Sequence, residues 1–191
     1  MLTEALVLAK IIRGDPWLEF GGLMFYPPID GWSATQTFLD VTKQGLNCLG
    51  LTPEIISTGG TPNLVNLGHL KGATEHRSGT YIFNDRMMMA AGLADINDCA
   101  LQIFSSVVSR AADTRGILDA GSKTFTSDTG GLAGFGLILE YPKAHIHQMA
   151  EEHGFLDLSE YDMRPSVGDI LRVIPNHVCV VVNMFDQLVI V

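Results

Sequence analysis

The sequence predicts an α/β segment followed by a mainly β segment, and two features of its patterning carry that reading. Up to about residue 84, short apolar runs alternate with a long helical repeat, the strand–helix–strand order that builds a parallel sheet. After Asn84 the apolar runs become short and β-branched, separated by Gly, Asp and Pro, and helical spacing becomes scarce. The change falls near residues 85–95, which gives expected domains of 1–88 and 89–191.

The elements follow in order. Residues 5–12 read as a short amphipathic helix stopped by Gly14 and Pro16. Residues 17–26 read as a buried strand interrupted by Gly21-Gly22 and ended by Pro27-Pro28. Residues 33–46 have helical spacing, with Phe38, Val41 and Leu46 as the inner face and Ser33 as N-cap. Residues 54–57 form a further strand that runs into Thr58-Gly59-Gly60-Thr61-Pro62. In the second part, strands are expected over 101–109, 116–118, 136–141, 170–174, 178–182 and 188–191, with one helix over 87–93.

Composition narrows the function. A hydrophobic content of 47% in 191 residues excludes a disordered chain and allows a sizeable core. No apolar run approaches the roughly 18 residues a membrane helix needs, and the N-terminus lacks the grammar of a signal peptide, so a cytoplasmic protein is expected. The net charge of −9 and the unclustered basic residues argue against nucleic acid. Cys48, Cys99 and Cys179 are far apart and odd in number, which suits a reducing compartment.

Several polar segments could carry chemistry. Ser57-Thr58-Gly59-Gly60-Thr61 follows a parallel-type strand, where α/β folds place ligands, and its glycines and hydroxyls suit a phosphate. Downstream, Gly79-Thr80 offers a second set of backbone donors, and Arg77 a fixed charge for phosphate, carboxylate or a ring nitrogen. A surface salt bridge is the alternative for Arg77. Lys123 reads as a solvated loop lysine, and Glu151-Glu152-His153-Gly154 as either a turn or support for a metal. His145 and His147 have strand spacing on an exposed segment and are not expected to act. In Pro175-Asn176-His177-Val178-Cys179 the histidine and cysteine stand two apart in a β-branched run. On a strand they would leave the same face and could share a cation, zinc by preference.

Taken in order, Ser57-Thr58-Gly59-Gly60-Thr61-Pro62, Arg77-Ser78-Gly79-Thr80-Tyr81-Ile82-Phe83-Asn84-Asp85, Asp119-Ala120-Gly121-Ser122-Lys123, Glu151-Glu152-His153-Gly154 and Pro175-Asn176-His177-Val178-Cys179 closely resemble the D-threonine aldolase and D-serine dehydratase family. The resemblance covers nearly the whole chain. It departs at Ser78, where the family usually has proline. It implies the alanine racemase-type fold: the last strands of a TIM-type barrel binding pyridoxal 5'-phosphate, then a C-terminal β-domain. Residues implied at the cofactor are Ser57, Thr58, Gly59, Gly60, Thr61, Arg77, Gly79, Thr80 and Tyr81. Those implied at a divalent metal are His177 and Cys179, with zinc favoured and manganese the alternative.

The resemblance also implies a lyase acting on D-3-hydroxy amino acids, expected to be D-threonine aldolase-like and to release glycine and an aldehyde. The alternatives are D-serine dehydratase chemistry, giving pyruvate and ammonia, and a non-catalytic cofactor-fold fragment. The family's Schiff-base lysine motif has no counterpart in these residues, and the α/β units before residue 85 are too few to close an eight-stranded barrel. The expectation is therefore the C-terminal half of a longer, homodimeric enzyme, inactive as a lone chain, with a small D-amino acid as its ligand.

Overall fold

Three parallel strands organise the first part of the chain. Strand β1 (Gly22–Met24) leads through helix α2 (Trp32–Cys48) to β2 (Ile55–Gly59), which pairs in parallel with both β1 and β3 (Glu75–Arg77). A 3-10 segment, Thr61–His69, makes the second crossover, and helix α1 (Leu2–Gly14) opens the chain. The computed structural model describes residues 2–190 and divides into two compact units, Met1–Gly79 and Thr80–Val191.

In the first unit Leu39, Ile56 and Leu70 form a buried cluster, joined by Leu23, Phe25, Trp32 and Ala73. The helix expected over 33–46 is present, but its buried face differs. Leu39, Thr42 and Leu46 are buried, while Phe38 and Val41 stay exposed. Thr42 can be buried because its hydroxyl donates to the Phe38 carbonyl one turn back, at 2.6 Å. The strand expected over 17–26 shrinks to three residues, and Trp17 is 90% exposed. Only Gly22–Met24 find ladder partners on β2, with Phe25 N–H adding one bond to Ser57 O.

The second unit is an antiparallel sheet in the order β6-β9-β4-β5-β8-β7. Its strands are β4 (Ile103–Ala112), β5 (Arg115–Leu118), β6 (Leu137–Ile138), β7 (His145–Met149), β8 (Gly154–Asp157) and β9 (Ile170–Ile174). Alternation along β4 buries Ile103, Ser105 and Val107 and turns Phe104 outward. Val107, Leu118, Ile138, Ile146, Leu156, Leu171 and Val173 form one buried cluster; each such side chain contributes about 1.5–3 kcal/mol of burial. The division falls at Gly79/Thr80 rather than at 88/89. Residues 80–90 are bonded into the second unit, through Ala100 N–H to Phe83 O and Arg86 N–H to Pro175 O.

Two expected strands are absent. The β-branched run Val178–Val182 is helix α5, and Leu188 to Ile190 belong to no regular element; Val191 lies outside the described residues. The reason for the helix is tertiary. The buried Asp85 carboxylate accepts from Val178 N–H at 2.9 Å, and Val178 and Val181, three apart, both enter the core. The same carboxylate caps α3 (Arg86–Ala90) by accepting from Met88 N–H at 3.0 Å. No helix among the described residues is long and apolar enough to cross a membrane.

A carboxylate also links β4 to β5. Asp119 Oδ1 accepts from Ser105 Oγ and Ser106 N–H, both at 2.7 Å. Burial raises its proton affinity, but these hydrogen bonds outweigh burial and hold the carboxyl below its ordinary range. A group depressed in the folded state stabilises the fold above its unfolded value, near 3.9, and loses that contribution as pH falls further. Urea midpoints measured from pH 6 to pH 3 should therefore fall less steeply in D119N than in the parent chain.

Candidate functional site

The carboxyl ends of the three parallel strands gather the first set of polar groups. Arg77, at the end of β3, donates from Nε to Ser57 Oγ on β2 at 2.8 Å and from Nη2 to the Phe25 carbonyl beyond β1 at 3.4 Å. Neither partner is a carboxylate. Ser57, Thr58 and Gly59 are buried on the central strand. Thr58 Oγ1 meets His76 Nδ1 at 2.8 Å, and the His76 Nε2 lies 3.1 Å from the Gly60 carbonyl. A carbonyl only accepts, so Nε2 is the donor to Gly60, while the Thr58 hydroxyl also lies 3.3 Å from the Glu75 carbonyl.

Gly60 is required by its surroundings. Its φ is +101°, and a Cβ there would stand 2.2 Å from the Tyr26 phenol carbon and oxygen. Its N–H donates to the Arg77 carbonyl at 2.9 Å. The groups left over are hydroxyl and amide: Thr61 Oγ1 and Asn63 Oδ1 are buried without a hydrogen-bond partner. A buried hydroxyl without a partner and a guanidinium bound only to neutral oxygens are donors of the kind an anion such as phosphate needs, so these residues fit the phosphate of a cofactor. Gly79 ends the first unit.

Thr80 and Tyr81 begin the second unit in a 3-10 turn, Thr80–Ile82. Tyr81 is half exposed. Thr80 Oγ1 lies 3.2 Å from Cys179 Sγ. His177 is the extended N-cap residue of α5 and Cys179 sits in that helix's first turn, so the same-face argument from a strand does not apply to them. Among the described residues no group of three or more His, Cys, Asp or Glu side chains stands in metal-binding array. Their immediate partners are nevertheless those of ligands. His177 Nδ1 is 2.6 Å from Asp128 Oδ2. The hydrogen bond from His177, and then one from Gly130 N–H, hold the Asp128 carboxyl below its ordinary range. An ionised carboxylate only accepts, so Nδ1 carries a proton and Nε2 is the ring nitrogen left to face a metal. A nitrogen and a sulfur donor of this kind fit a divalent cation such as zinc.

Other candidates resolve as structural. Lys123 pairs with Glu152 at 2.6 Å on the surface, as a solvated lysine should. The turn at 150–153 is bonded to the start of helix α4 (Ser122–Phe125) through Ser122 N–H to Ala150 O and Lys123 N–H to Glu151 O. His145 and His147 lie exposed on edge strand β7 near Asp157. Asp85, Asp128, His76 and Asn176 were not singled out individually by sequence reasoning. Asn176 is buried, accepts from Arg86 Nη1 at 2.7 Å and from Gly136 N–H at 3.0 Å, and donates to Gly134 O. Its place next to His177 is the one signal that could have marked it.

Comparison with known proteins finds relatives along most of the chain. Residues 100–191 match the family described as "Putative serine dehydratase domain". D-threo-3-hydroxyaspartate dehydratase of Delftia sp. (strain HT23) is 31% identical over 153 residues, 71% of this chain and 40% of that protein. D-threonine aldolase of Arthrobacter sp. is 29% identical over 201 residues, 97% of this chain and 52% of the aldolase. A protein of Mycobacterium bovis (strain ATCC BAA-935 / AF2122/97) is 35% identical over 115 residues, 58% of this chain and 86% of its own length. The chain thus spans about half, or less, of the length of the two named enzymes.

Among solved structures, the Delftia dehydratase superposes with a TM-score of 0.79 at 25% identity, over 97% of this chain and 57% of its own. Variants of D-threo-3-hydroxyaspartate dehydratase have also been solved, one with a histidine changed to alanine and one, metal-free, with a cysteine changed to alanine; the two positions are two apart. Alanine racemase from Bartonella henselae with covalently bound pyridoxal phosphate shares the fold at 14% identity, with a TM-score of 0.55 over 92% of this chain and 53% of the racemase. The α/β unit and the antiparallel β unit are therefore of the alanine racemase type. On motif order, sequence identity and fold together, the chain belongs to the D-serine dehydratase and D-threonine aldolase family.

Proposed function

We propose that this chain carries the phosphate-binding and metal-binding residues of a lyase acting on D-3-hydroxy amino acids. Its reaction would be aldolase-like, cleaving Cα–Cβ to glycine and an aldehyde. The observation that carries the reading is the pairing at each ligand residue: Arg77 on a buried serine hydroxyl, and His177 on Asp128 with Cys179 on Thr80. Support comes from the relatives, which are named as aldolase and dehydratase of such substrates, and from the His and Cys variants with the spacing of His177 and Cys179.

In this reading pyridoxal 5'-phosphate, when bound, supplies an electron sink, and a divalent cation, zinc by preference, supplies a Lewis acid for the substrate's 3-hydroxyl. The protein's own groups do the rest. Ser57 and Thr61 offer hydroxyls to the phosphate, while the Gly60 N–H stays on the Arg77 carbonyl. Arg77 holds a permanent positive charge for the phosphate or the ring nitrogen, and neither gives nor takes a proton. His177 Nε2 and the Cys179 sulfur are the donors for the cation. The reactive lysine would come from sequence outside these residues, as the greater length of the relatives allows.

A second reading, β-elimination to a 2-oxo acid and ammonia, is favoured by the serine dehydratase match and the 31% identity to a dehydratase. Product analysis of the intact enzyme with pyridoxal phosphate and Zn²⁺ separates them. Glycine and acetaldehyde from D-threonine are expected. Pyruvate from D-serine as the dominant product would establish elimination instead, and no turnover of any D-3-hydroxy amino acid would sink both readings.

A further inference from the structure

Each proposed metal ligand has a side-chain partner on a separate chain segment, Asp128 for His177 and Thr80 for Cys179. Asp128 is an exposed loop carboxylate whose Oδ2 meets His177 Nδ1, while its other oxygen takes a local bond from Gly130 N–H. Thr80 points its hydroxyl at Cys179 Sγ across 99 residues of sequence. We infer that Asp128 and Thr80 are the positioning residues of the metal pair, Asp128 fixing the imidazole tautomer and Thr80 orienting and polarising the thiolate.

The inference rests on His177 and Cys179 being ligands and extends that reading to groups that touch no metal. The chemistry differs at the two partners. Asp128 fixes which ring nitrogen faces the metal, because a ring protonated on Nε2 cannot ligate through that nitrogen. At Cys179 a bound thiolate has only acceptor capacity, so the Thr80 hydroxyl becomes the donor and lowers the energy of the sulfur electrons. Thr80 thereby has two duties. Its backbone belongs to the turn expected at the phosphate, and its side chain reaches the sulfur.

The test uses the full 191-residue chain with Zn²⁺, titrated against a chromogenic chelator, and with Co²⁺, whose sulfur-to-metal band reports the thiolate directly. D128A should weaken both cations by about 10- to 100-fold, the range typical for loss of a ligand's outer partner. D128N, which keeps the volume and one acceptor, should weaken them less, and serves if the alanine variant folds poorly. T80V should move the sulfur-to-cobalt band to lower energy, and T80S should leave it in place. Unchanged affinity in both Asp128 variants overturns the role of Asp128, and an unmoved band in T80V overturns that of Thr80; His177 and Cys179 would stand in either case. Failure of the parent chain to bind either cation removes the metal pair itself, and the inference with it.

Discussion

Changing Gly121 to alanine is expected to cost the second unit more than about 3 kcal/mol, a large fraction of the stability of an ordinary domain. A Cβ at this position would stand 2.3 Å from Ala150 O, 2.4 Å from His153 N and 2.6 Å from Glu151 O. All three are backbone atoms, so no side chain can rotate away, and relief requires the 150–153 turn to separate from α4. That separation would break Ser122 N–H to Ala150 O and Lys123 N–H to Glu151 O, and it would disturb Ala120 and Phe125 in the core. Urea denaturation followed by circular dichroism measures the loss. A decrease below about 1 kcal/mol would mean that the turn and the helix do not meet as described.

The second large effect is at Asp85. One fully buried carboxylate caps two helices, with Oδ1 on Met88 N–H and Oδ2 on Val178 N–H. Replacement by alanine orphans two N–H groups in the interior and removes two charge-assisted bonds. Each cap is worth about 1–2 kcal/mol, so a total near 3 kcal/mol is expected. D85N keeps one acceptor and should recover part of it. Because α5 begins at the proposed ligands, D85A should also weaken Zn²⁺ binding under conditions where the unit remains folded. Thermal denaturation, with and without Zn²⁺, gives both quantities. Equal stabilities of D85A and the parent would refute the double cap.

Much of this was legible in the sequence, and the exceptions have physical causes. Strand β9 was expected over 170–174 and lies at Ile170–Ile174, because its β-branched run stands between turn residues and pairs on both sides. The α2 helix was expected with Phe38, Val41 and Leu46 as its inner face, and of these Leu46 is buried. The neighbours that bury Leu39 and Thr42 come from distant sequence, and a buried threonine carries no apolar signal. The segment 178–182 was misread because local preference was overruled by a cap nearly a hundred residues away in sequence. For the site, the resemblance marked Arg77, His177 and Cys179, while their partners Ser57, Asp128 and Thr80 could be paired with them only in three dimensions. The motif around Asp119 and that around Glu151 also proved to be one feature, two chain segments in backbone contact at Gly121.

Helix α5 has the composition Val-Cys-Val-Val-Val, which on its own would stack with copies of itself rather than coil. During refolding from denaturant, that stretch is sticky until Asp85 arrives. Yield should therefore fall with protein concentration, and aggregates recovered from such mixtures should protect 178–182 from proteolysis. V180A, at a half-buried position of that turn, would make the chain easier to prepare.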